Sequence, residues 1–173
     1  MKLRTCILIL SILSVFIAAN TLAALPPQKD YLSSIEADKL RDAETPNERI
    51  TLFLSFADDR LKKLQYELEH PSPARHDEMI NSLLNAYVGC VDDAADLIQL
   101  GIEKQQNIRK AVNLMAARTK EYIPILQKIP TNTPDADMFK DNLQDAIEGT
   151  QDASREAEAA KKNVASPPVR RKK

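Results

Sequence analysis

The run Asp92-Asp93-Ala94-Ala95-Asp96 has the residue types and spacing to gather a divalent cation. On a helix Asp92 and Asp96 share one face, so an Asp-Asp-x-x-Asp array can collect Mg2+ around a diphosphate. Without a cation the two carboxylates only repel each other, by a few tenths of a kcal/mol. Such chemistry needs a second acidic run facing the first, and the chain offers only Asp58-Asp59-Arg60, which carries its own counter-ion. A solvated polar face accounts for both runs, so a Mg-dependent enzyme built on Asp92, Asp93 and Asp96 ranks third among the functional readings.

The histidines allow even less. His70 stands at the end of an apolar-periodic stretch, where its imidazole suits the free carbonyls of a helix C-terminus. His76 follows across a proline-containing turn, with Glu69, Asp77 and Glu78 nearby. A zinc site needs a further converging Cys or His, and none is close. Both histidines are therefore weak metal candidates only. Covalent haem needs Cys-x-x-Cys-His, and carboxylate-bridged di-iron bundles need two Glu-x-x-His motifs on separate helices; neither set is present. The three glycines, Gly89, Gly101 and Gly149, are too far apart to cradle a phosphate. No catalytic residue and no cofactor is expected.

The N-terminus is more informative. Lys2 and Arg4 precede an apolar run from Cys6 to Ala19, and a small-residue exit follows through Ala23 and Ala24. This is the pattern of a secretory signal peptide over residues 1–24, cleaved near Ala23 or Ala24. The competing reading is an uncleaved N-terminal membrane anchor. Either one places the body in the periplasm or outside the cell. The whole chain carries 24 basic and 25 acidic side chains; losing Lys2 and Arg4 leaves 22 against 25, a formal charge of −3. A weakly acidic body argues against nucleic acid as a partner. Cys90 then stands alone, so no intramolecular disulfide forms, and its place on an apolar stripe points to packing.

Helix is favoured throughout by scarce glycine and abundant Ala, Leu, Glu, Lys and Gln. After an extended linker over residues 25–32, Ser33 and Glu36 form a capping box, and Thr45-Pro46-Asn47-Glu48 a stronger one. Behind it Ile50, Phe53, Leu54, Ala57, Leu61, Leu64 and Leu68 recur at helical steps, ending at His70-Pro71. Ser72-Pro73 is expected to open the next helix, whose stripe runs from Ile80 through Tyr87 to Ile98 and stops at Gly101 as a left-handed cap. A third stripe covers Ile108 to Ile129 and contains Pro124, which predicts a kink. Thr133-Pro134 opens the last helix, whose stripe fades into Ala153, Ala157 and Ala160. The expected helices are about 33–43, 46–69, 73–100, 103–129 and 134–162. The fold class is thus all-α: an antiparallel four-helix up-down bundle over 33–163, preceded by a short helix. Residues 164–173, ending in Arg170-Arg171-Lys172-Lys173, read as a disordered basic tail able to touch an anionic membrane surface.

The segment from Asp42 to Leu61, with Thr45-Pro46-Asn47-Glu48-Arg49-Ile50 and Phe56-Ala57-Asp58-Asp59-Arg60 at its heart, resembles exported all-helical proteins of soil bacteria that have no assigned activity. The likeness is best over residues 31–64 and weaker from Ala146 to Ala153. It implies export and an all-helical fold, and it carries no catalytic residue. The leading functional reading is a non-enzymatic interaction, scaffold or envelope-stress protein with an unknown protein partner. Its contact surface would be an exposed apolar patch along 31–43 or on the alanine-rich last helix. The second reading is a small-molecule or metal carrier using the bundle interior around Tyr87, Met115, Tyr122 and Pro124.

Overall fold

Ser33 and Glu36 close the first helix reciprocally. The Ser33 hydroxyl accepts the Glu36 amide at 3.3 Å, and Glu36 Oε2 accepts the Ser33 amide at 2.9 Å. This helix, α1 (Ser34–Asp42), is followed by α2 (Pro46–Glu69), which the same box between Thr45 and Glu48 opens, with Pro46 in its first turn. A cap satisfies orphan amides at a definite residue, so these two starts fall where the sequence puts them. The remaining helices are α3 (His76–Glu103), α4 (Arg109–Gln127) and α5 (Lys140–Asn163), with a 3-10 turn at Ala136–Met138. The computed structural model describes residues 29–132 and 136–164, and no strand occurs among them. The expected signal peptide, the first half of the linker, the Thr133-Pro134 helix start and nearly all of the basic tail lie outside the described residues. No described helix is long and apolar enough to cross a membrane.

Several boundaries differ from expectation, each for a definite reason. Pro73 does not begin α3, because Ser72 is engaged elsewhere: its amide and hydroxyl donate to Glu67 at 2.8 and 2.9 Å. Gly101 does not end α3 either. The left-handed residue is Gln105, at φ 52°; its amide donates to Ile102 O at 3.0 Å and the Gln106 amide to Gly101 O at 2.8 Å. That pair of bonds is a Schellman motif with glutamine in the usual glycine position. Gly101 answers a different need, since a Cβ there would lie 2.8 Å from Ile108 Cδ1. Finally, α4 starts six residues later than expected. Its cap comes from another helix: Asn47 Oδ1 in α2 accepts the Ala111 amide at 3.0 Å, and Asn47 Nδ2 donates to Asn107 O. Pro124 falls in the last turn of α4, so the helix ends soon after it. At the far end, a 3-10 turn precedes α5, which is regular only from Lys140.

Direction alternates along the chain, but the neighbours do not follow chain order. α2 packs on α3 and α4, while α5 packs on α3 and α4; α3 and α4 scarcely touch. The start of α4 meets the start of α2 at Asn47, and the end of α5 meets the start of α4 where Arg109 donates to Val164 O at 3.0 Å. Early α3 meets early α5, where Asn142 donates to Asn81 at 2.6 Å. The arrangement is therefore two antiparallel hairpins, α2–α3 and α4–α5, laid side by side with like helices parallel. In the expected up-down bundle helices joined by short connections are neighbours; here α3 and α4 are not. The Lys104–Ile108 link crosses the bundle, and the Asn47 cap holds its far end beside α2.

The seams share one hydrophobic core. Leu54, Leu64, Leu84, Val91, Ile98 and Leu126 are fully buried in it. Ala146, Ala153, Ala157 and Ala160 of α5 are buried too, so the alanine-rich helix packs closely and offers no exposed patch.

Candidate functional site

The acidic run does not converge on anything. Asp93 is turned to Lys29, with which it forms an ion pair, and its Oδ2 is buried without a hydrogen-bond partner. Asp92 and Asp96 remain exposed on α3. Partial desolvation, then the like charges of Asp96 and Glu156, raise the Asp92 carboxyl above its ordinary range. The histidines part company as well. His70 stacks on Tyr66, with ring centroids 4.5 Å apart, and His76 Nδ1 donates to Glu67 Oε1 at 2.8 Å. Glu67 is buried, and the Ser72 amide followed by His76 holds its carboxyl below the usual range. Among the described residues no group of three His, Cys, Asp or Glu side chains is placed to hold a metal ion.

Of the residues named for a carrier, Tyr87, Met115 and Tyr122 are buried and packed against their neighbours, whereas Pro124 is exposed and lines no interior space. Tyr87 and Tyr122 meet edge to face at 5.7 Å, and Met115 is fully buried. Thr150 donates to Ala146 O at 2.6 Å, which leaves its oxygen to accept the Tyr87 hydroxyl at 2.7 Å. The Tyr122 hydroxyl donates to Leu54 O at 3.1 Å. Burial pushes both phenols up, so neither ionises near neutrality.

Two grooves open on the surface instead. One, of about 330 Å³, lies between α2 and α3 and is lined by Lys62, Lys63, Tyr66, Glu67, Met79 and Leu83. Tyr66 is 64 % exposed and Met79 43 %, while Glu67 is sealed by Ser72 and His76. The other, of about 760 Å³, runs past the α1–α2 turn to the start of α4, with Lys39, Asp42, Glu48, Leu52, Asn107 and Lys110 on its walls.

The best-built polar cluster was not visible as such in the sequence. Arg60, only 8 % exposed, grips Glu36 with both terminal nitrogens, at 2.5 and 2.7 Å, and donates to Tyr31 O at 3.1 Å. The bidentate pair, ahead of the Ser33 bonds, holds the Glu36 carboxyl down at about 2. Glu36 is legible as a cap, and Arg60 as the counter-ion of Asp59. Nothing in their 24-residue separation reveals that they meet. Beneath them Cys90 is fully buried, and burial pushes its thiol up to about 12. Ile35 stands 66 % exposed on α1 above this cluster, the one large apolar side chain of 31–43 left in solvent.

Comparison with family models, with curated proteins and with solved structures returns no match.

Proposed function

We propose that the protein is an exported, non-enzymatic helical-bundle protein that works by binding another protein through the α2–α3 groove. The observation that carries this reading is the pair of exposed apolar side chains, Tyr66 and Met79, standing over half-buried Leu83. Aromatic residues and methionine are the types enriched in protein interfaces, and a flexible thioether adapts to varied partners. Lys62 and Lys63 rim the groove, so its occupant is an amphipathic segment with a large apolar residue flanked by carboxylates. Export rests on the N-terminal pattern and on the likeness to exported helical proteins of soil bacteria; the basic tail would then lie against an anionic membrane surface.

A labelled helical peptide with leucines at three- and four-residue steps and glutamates beside them tests this reading by fluorescence anisotropy. It should bind, and Met79→Glu and Lys62→Glu should each weaken binding about tenfold or more without lowering the melting temperature. Equal binding by the variants, or none by the wild type, would reject the groove. The carrier reading keeps second place through the larger groove, whose volume lies in the range that holds small molecules.

A further inference from the structure

We infer that residues 29–42 form a strap that opens as a unit while the four long helices stay folded, and that its opening uncovers Cys90. Four observations converge on it. First, α1 buries none of its own residues; only Leu32 before it and Ala43 after it are buried. Second, the strap is fastened at a few points: Glu36 to Arg60, Lys29 to Asp93, and the Tyr31 ring against Gly89. Local opening is cheapest where a segment contributes least apolar burial. Third, the closed state leaves two buried groups without partners, the Tyr31 hydroxyl and Asp93 Oδ2, and both regain water when the strap lifts. Fourth, Cys90 is fully buried and directly follows Gly89, the residue against which the Tyr31 ring of the strap rests.

The fit at Gly89 gives the sharpest handle. A Cβ there would lie 2.7 Å from Tyr31 Cε1 and 2.8 Å from Cδ1, inside contact distance, so the ring must shift away from α3. Gly89→Ala should therefore loosen the strap while strengthening α3, because alanine is the better helix former. Glu36→Gln is the complementary variant, since glutamine still serves the capping box with Ser33 but surrenders the charge that Arg60 holds.

The test follows modification of the full chain by N-ethylmaleimide, with Cys90 resolved from Cys6 by peptide mass spectrometry, across a urea series. The wild-type thiol should react well below the unfolding transition, at a rate nearly independent of urea. Gly89→Ala and Glu36→Gln should each accelerate that reaction about tenfold or more, and Gly89→Ala should do so without lowering the urea midpoint. If Cys90 in all three proteins reacts only in step with global unfolding, the strap belongs to the same cooperative unit and the inference is wrong.

Discussion

The two hairpins fill their seams by opposite means. Between α2 and α3 the contact is made by bulk: Phe53, Leu54, Leu61 and Leu64 are buried on one helix, and Ile80, Leu84, Val91 and Ile98 on the other. Between α4 and α5 it is made by closeness, with Ala111, Ala116, Ala146, Ala153, Ala157 and Ala160 buried along the facing stripes. Large side chains hold helices apart and earn their stability from area removed from water. Small ones let the backbones approach and leave no volume to spare. The difference teaches that a fading apolar stripe need not mean a loosely held helix: α5 carries few large side chains, yet Ala146, Ala157 and Ala160 are as deeply buried as Leu54, Leu61 and Leu64 of α2.

The contrast sets the sign of each substitution. Leu64→Ala should have the largest effect, a loss of about 2–5 kcal/mol from the cavity left in the bulky seam, read as a fall in the urea midpoint at constant slope. A small loss there would mean that the seam collapses to fill the gap. Ala157→Leu should cost about 1–3 kcal/mol, because the added atoms have nowhere to go. If it is neutral or stabilising, α4 and α5 are not in close contact and the comparison fails. The same alanine-to-leucine change at a solvent-facing α5 position supplies the control.

The smallest effect concerns the acidic turn of α3. An acid whose folded-state value is raised penalises the fold at every pH above that value, and the penalty fades as the pH falls through it. Asp92→Asn should therefore stabilise by a few tenths of a kcal/mol at neutral pH, and by nothing below about pH 3, where the carboxyl is protonated in both states. A loss on substitution would show that Asp92 makes a favourable contact, and the acidic run would then regain interest as a site.

How much of this was legible depended on the range of each interaction. Capping boxes lie within four residues, so the starts of α1 and α2 could be read directly from Ser33 to Glu36 and from Thr45 to Glu48. The apolar stripes are likewise local, and they place Ile50, Leu64, Tyr87, Val112 and Leu143 in the core. What escaped were features made by distant partners. The start of α4 is set by an asparagine 64 residues before the amide it caps. The start of α3 is set by a glutamate that draws in both Ser72 and His76. The order of the helices around the core depends on which flanks fit, and a periodic stripe does not encode that choice. Neither groove had a signal either, beyond Tyr66 and Met79 falling off the buried stripes of their helices.

The side-by-side placement of the hairpins also gives the molecule two unequal flanks. On the α2 and α3 side, residues 29–42 already occupy the place where another pair of rods would lie. On the α4 and α5 side no other described helix lies. A third hairpin of the same sense, added by gene fusion or brought by a neighbour, would find a berth at one end only, so growth of such a stack would run in a single direction, away from residues 29–42.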